Sequence, residues 1–239
     1  MNGDSREFLN SVKEKIGFLQ GDLRSYIYLR LDPTFSTSGL GGGNITAAIG
    51  SFALLNLLAK VHRAVTKPEK FVLASDPLLR KPWGSCCRAV PRLHDVNESD
   101  SFSAFVAWLG REERINLGIG SGDASGIWNE YRNWLVHRFD TRHMVLTYLY
   151  IGTGVRLQTT AEADDLLRRQ VTEKRAIPFS KEAGGRWTFN VDIFYMLLDD
   201  MAAAMERLLL SAELSADSRE ILNNIVLGRE QGSVDTSSA

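Results

Sequence analysis

Asn44-Ile45-Thr46-Ala47-Ala48-Ile49-Gly50-Ser51-Phe52-Ala53-Leu54-Leu55-Asn56-Leu57-Leu58-Ala59-Lys60-Val61 is the stretch whose reading sets the fold class. Ile45, Ile49, Phe52, Leu55 and Leu58 keep the 3.6-residue helical period, and Leu54, Leu57 and Val61 widen that stripe. The spacing predicts a long buried helix over about 44–65, capped by Asn44 or Thr46. Outward from it, Phe8, Leu9, Val12, Ile16 and Leu19 share one helical face, so a second helix is expected near 6–20 with Ser5 as its cap. Phe102, Phe105, Val106 and Leu109 predict a helix near 102–115, and a further helical stretch comes after it near 127–139. Phe194, Leu197, Leu198, Met201, Met205, Leu208 and Leu209 predict a long amphipathic helix over 192–211, with shorter helices at 161–173 and 217–227.

Between these lie other signals. Asp22 to Leu31 is apolar without a clear period, and Thr34 to Gly43 is a loop by its Ser, Thr and Gly content. Residues 66–101 hold Pro68, Pro77, Pro82 and Pro91 and read as a connecting insertion with at most short helices. The β-branched and aromatic residues of 144–158 allow a strand, and 177–191 around Gly184-Gly185 reads as a hairpin, together a small accessory sheet within 144–191. The expectation is a mainly α protein, one domain over 1–227, with a polar tail at 228–239.

Composition narrows the function classes. With 44% apolar and 24% charged residues the chain should fold, and a net charge of −1 argues against a protein that holds nucleic acid by bulk charge. Cys86 and Cys87 are adjacent, so they can neither staple distant segments nor supply a four-ligand zinc site. The first residues hold no apolar signal core, and no window supplies the ~20 uncharged apolar residues of a membrane span; a cytoplasmic protein is expected.

Several motifs have plain explanations. Gly39 to Gly43 lacks the Lys-Ser/Thr of a phosphate-binding loop, and Gly118 to Gly126 lacks the strand and downstream acid of a dinucleotide fold, so both read as helix punctuation. His62 on the long helix reads as a packing or surface residue, and Asp164-Asp165 and Asp199-Asp200 as solvated pairs, because adjacent helical residues point about 100° apart. Neither a metal nor a cofactor is called for.

What remains is Tyr131-Arg132-Asn133-Trp134-Leu135-Val136-His137-Arg138-Phe139. An Arg followed by His four to six residues later is expected about once by chance in a chain with 20 Arg and 4 His, and this one has three matches. Arg88 to His94 contains Pro91, and Arg138 to His143 crosses the expected helix end. Arg132 to His137 alone is helical, carries Asn133 and has apolar residues between. On an α-helix Trp128, Tyr131, Leu135 and Phe139 form a core stripe, with Asn133 and His137 together on the other side. Arg132 lies about 140° from His137 and must bend toward a shared cleft.

This segment resembles the HEPN superfamily, all-helical domains of prokaryotic defence, toxin and RNA-processing proteins marked by Arg, a polar residue and then His. Gly41-Gly42-Gly43-Asn44 with the helix after it, and Gly185 to Val191 before the Phe194 helix, carry weaker likeness. The resemblance implies a HEPN-like helical bundle with a small accessory β-hairpin. It also implies a homodimeric, metal-independent endoribonuclease acting on RNA as a toxin or phage-defence effector, with an antitoxin or defence-complex partner. On that reading Arg132 clamps phosphate, His137 transfers protons, Asn133 positions, and Arg138, Arg142 and His143 bind substrate. The alternative is a non-catalytic HEPN-like interaction or nucleotide-binding module in a defence complex. One departure matters: some toxin members have a Tyr two positions after the His, modified by the antitoxin, and here Phe139 stands there, which excludes that regulation.

Overall fold

The computed structural model describes residues 3–31, 43–75, 91–95, 97–120, 122–132, 144–147, 160–174 and 176–228. Two long helices come first, α1 (Gly3–Leu31) and α2 (Gly43–Thr66). The buried stripe of α1, Phe8, Leu9, Val12 and Ile16, continues through Leu23 and Ile27, so the stretch after residue 20 is more of the same helix. Ser5 lies inside its first turn and is buried, so it is no cap; Asn44 and Thr46 likewise fall within α2.

The helix α2 is the centre of the protein. Phe52, Leu55, Leu58 and Val61 have no accessible surface, and Ser51, at the same depth, returns its hydroxyl to the Ala47 carbonyl at 2.8 Å. Around it pack α1, α3 (Glu98–Arg111), α5 (Val191–Met196), α6 (Leu198–Ser211) and α7 (Ala216–Leu227). Ile45–Thr66 has the length and mean hydropathy of a membrane span (22 residues, 1.4), though it carries Lys60 and Arg63, and its burial against these helices accounts for that apolar character.

The Pro-rich stretch holds more structure than expected. A 3₁₀ turn at Pro68–Lys70 leads into β1 (Phe71–Ser75), which pairs antiparallel with β2 (Pro91–Asp95), Leu73 opposite Leu93. Pro91 is the first residue of its strand, where the missing N–H costs least. Asn97 then caps α3 by accepting from the Asp100 N–H at 3.3 Å, which starts that helix four residues before the apolar run at Phe102.

The C-terminal half opens with a three-stranded sheet. The expected hairpin forms from β4 (Phe179–Lys181) and β5 (Trp187–Asn190), and β3 (Met144–Thr147) joins β5 in parallel, giving the order β3-β5-β4. Between β3 and β4 in sequence lies α4 (Thr160–Lys174). Phe179 and Phe189 stack at 4.6 Å between ring centroids, and both lie 5.7 Å from Phe52, so aromatic packing fastens the sheet to α2.

The single helix expected over 192–211 is broken at Leu197 into α5 and α6. Every residue of α5 is buried, whereas α6 buries one stripe, Leu198, Met201, Ala204, Met205 and Leu209. The helix is interrupted where its surroundings change from all-round core to half-core. Asn190 starts α5 by accepting from the Asp192 and Ile193 N–H groups, both at 3.1 Å.

α1 is tied to the end of the chain. Lys13 pairs with Glu206 at 2.8 Å, and Lys15 and Ser11 both donate to the Val226 carbonyl. Arg24 binds the Asp164 carboxylate and the Tyr195 hydroxyl, and Tyr195 donates to Asp164 at 3.0 Å, a triad joining α1, α4 and α5. The described residues are thus mainly helical with two small sheets.

Gly118 tests how tightly the sheet is held. It has φ +79°, and a Cβ there would sit 2.0 Å from the Phe179 carbonyl oxygen, while the Phe179 N–H donates to the Leu117 carbonyl at 3.0 Å. Gly185 has φ +81°, but a Cβ there would meet nothing within 4 Å. Gly185→Ala should therefore cost about 1 kcal/mol, the left-handed penalty alone, and Gly118→Ala at least about twice that, as measured by urea unfolding. Equal losses would show that the Gly118 contact carries no weight.

Candidate functional site

The segment bearing Arg132 grows out of the core. After α3, a turn at Ala124–Gly126 leads into a π-helical turn, Ile127–Arg132. Ile127 and Trp128 are buried, and the Trp128 ring stacks on Phe102 of α3 at 4.9 Å, as the core stripe required. The expected α geometry does not hold here. A π turn bonds i to i+5, so the 100° spacing does not carry from Trp128 to Arg132 within this turn. The Arg132 backbone closes the turn; Asn133, His137, Arg138, Arg142 and His143 lie outside the described residues, as do Cys86 and Cys87.

A second feature lies on another face of α3. Where α2 ends, a cleft of about 440 Å³ opens, lined by His62, Arg63, Lys67, Lys70, Trp108 and Arg111. The small side chains of Ala104 and Ala107 on α3 leave the space open, and Asp100 and Glu112 complete its wall. Cations are favoured beside the carbonyls that end a helix, which suits Arg63 and Lys67 to this place. Arg63 is buried and donates to the Asn97 carbonyl at 3.5 Å, while Lys60 one turn earlier pairs with Glu98 at 2.5 Å, so α2 and α3 are pinned together at the cleft.

His62 packs its ring against Trp108 at 4.9 Å and Phe105 at 6.0 Å, which bears out a packing role. Its Nδ1 is buried without a hydrogen-bond partner. Burial, and secondarily the charge of Lys67, lowers its pKa to about 4, so the imidazole is neutral at pH 7. The Thr66 hydroxyl is engaged by the His62 carbonyl at 2.9 Å.

The paired acids separate in role. Asp199 is exposed and binds Gln20 and Arg168, as a solvated residue should, but Asp164 is drawn into the triad with Arg24 and Tyr195 and is not a solvated face. There the two hydrogen bonds from Arg24 raise its own pKa, and burial raises that of Tyr195. Gly118 is held by β4, and the element directly before it is the helix α3 rather than a strand, in keeping with punctuation. Among the described residues no three His, Cys, Asp or Glu side chains gather as a metal site.

The cleft cations escaped the sequence reading because Arg63, Lys67 and Lys70 looked like a helix end, and Arg111 lies some forty positions away on α3. The available signal was three bases spaced four and three residues apart at the end of a mostly apolar helix. The chain matches no family model, no curated protein and no solved structure.

The buried histidine gives this region a pH dependence of known sign. Its folded pKa lies below the ordinary 6.5, so the unfolded chain binds the proton more tightly, and stability falls as pH drops from about 6.5 to about 4. The His62 contribution to that fall is on the order of 3 kcal/mol. His62→Phe should flatten the pH slope of the thermal midpoint across that window; an unchanged slope would remove His62 as its source.

Proposed function

We propose that this protein is a metal-independent endoribonuclease of HEPN type, working as a homodimer. The observation that supports the reading is the order of the chain at Arg132: a π turn with its apolar side in the core ends on Arg132, and Asn133 and His137 come next at the motif spacing. π turns recur at functional sites because the extra residue re-aims the side chains after it. The mainly helical fold suits a HEPN-like bundle.

The chemistry rests on the residue types. His137 accepts the proton of an RNA 2′-hydroxyl, whose oxygen attacks the adjacent phosphorus. The P–O bond to the 5′-oxygen breaks, and that oxygen takes a proton from the partner's copy of the same histidine or from solvent. The products are a 2′,3′-cyclic phosphate and a 5′-hydroxyl, with no oxidant or metal consumed. Arg132 stabilises the charge gathering on the phosphoryl oxygens, Asn133 orients the imidazole or the phosphate, and Arg138, Arg142 and His143 hold neighbouring phosphates. A two-fold dimer sets two motifs across one groove, so assembly controls activity. A cytoplasmic toxin or defence effector with an antitoxin or complex partner is the corresponding setting.

The test is cleavage of a labelled mixed-sequence RNA in excess chelator. Wild type should leave 2′,3′-cyclic phosphate ends, with His137→Ala and Arg132→Ala each slower by about 10²-fold or more at unchanged thermal midpoint. Intact RNA with wild type, or equal cleavage by His137→Ala, would overturn the reading.

A further inference from the structure

We propose that the cleft between the end of α2 and α3 binds a small phosphate monoester carrying hydroxyl groups, of the sugar phosphate or nucleoside monophosphate kind. This site is separate from Arg132 and stands whether or not the protein cleaves RNA. Its volume of about 440 Å³ falls in the range of small-ligand sites.

Charge identifies the ligand class. Among the described residues four permanent cations, Arg63, Lys67, Lys70 and Arg111, face two carboxylates, Asp100 and Glu112, and His62 is neutral at pH 7. The excess of two positive charges matches a phosphate monoester, which carries about −2 near neutral pH. Arg63 is buried and already oriented by its bond to the Asn97 carbonyl, so a guanidinium is fixed in the wall while Lys67, Lys70 and Arg111 remain exposed at the rim.

The acids set the size. Asp100 and Glu112 stand at opposite ends of the α3 wall, about 18 Å apart along the helix axis. A strand of phosphates laid along α3 would meet a carboxylate at either end, whereas one phosphate sits among the cations between them. Asp100 accepts from the Asn97 amide at 2.7 Å, and a carboxylate keeps further acceptor sites, so both acids can receive ligand hydroxyls.

Calorimetric titration of the full chain with ribose 5-phosphate, adenosine 5′-monophosphate, ribose, adenosine, inorganic phosphate and a twelve-nucleotide RNA lacking terminal phosphates tests this. Saturable binding is expected for one or both monoesters and not for their unphosphorylated forms, and which monoester binds more tightly tells a sugar phosphate from a nucleotide. Lys67→Ala and Arg111→Ala, both exposed, should each weaken binding about tenfold at unchanged thermal midpoint. Lys181→Ala, on β4, should leave it unchanged. No saturation by either monoester up to about 10 mM, or affinity indifferent to Lys67 and Arg111, would overturn the proposal. So would inorganic phosphate binding as tightly as the esters, which would mark an unselective anion site, or the RNA binding more tightly and depending on those cations, which would mark a strand track.

Discussion

The burial of α2 is the constraint on which the rest depends. From Ala47 to Val61 this helix offers almost no polar face, and each fully buried Phe or Leu side chain contributes about 1.5–3 kcal/mol only while water is kept away. Enclosure therefore has to come from many directions. α1, α3, α5, α6 and α7 supply it, and the Phe179–Phe189 stack closes the approach at Phe52. The apolar run gives way at the turn carrying His62 and Arg63, which are still buried, and the enclosure ends one turn later at Thr66 and Lys67, so the cleft marks the point where the core helix changes character.

α3 has two jobs because of where it sits. Phe102 receives the Trp128 ring and so carries the π turn that leads to Arg132, while Ala104, Trp108 and Arg111 line the cleft. Phe105 and Trp108 meet His62 from the same helix. In a close-packed interior such a wall moves as a unit, so a displacement of α3 would reach both regions at once.

Much of this was legible in the sequence, for identifiable reasons. α2, α3, the hairpin around Gly184-Gly185 and α7 each carry a local signal: period, cap, glycine pair or the positive-φ Gly228 that ends α7. The elements that were not legible depend on partners distant in sequence. β1 and β2 are short, set among prolines and stable only as a pair; the second half of α1 has a sparser stripe, Leu23 and Ile27, that makes sense only beside its neighbours. The break at Leu197 stems from the change in packing, and the π turn adds a residue that a fixed 100° count does not contain. For the sites, residue spacing singled out Arg132, Asn133 and His137, but a cleft assembled from two helices and a turn depends on interhelical register, which spacing along one helix does not encode.

The bonds from Lys15 and Ser11 to the Val226 carbonyl bear on how the chain is made. The Lys15 contact spans 211 residues, and α1 also finds its Glu206 and Tyr195 partners far downstream. At ribosomal speeds of about 5–20 residues per second, α1 leaves the tunnel roughly 10–40 s before the surface that covers Phe8, Val12 and Ile16 exists. During that interval its apolar stripe is exposed, which makes the nascent N-terminal helix a natural client for chaperones and postpones native closure of the core until the last helices arrive.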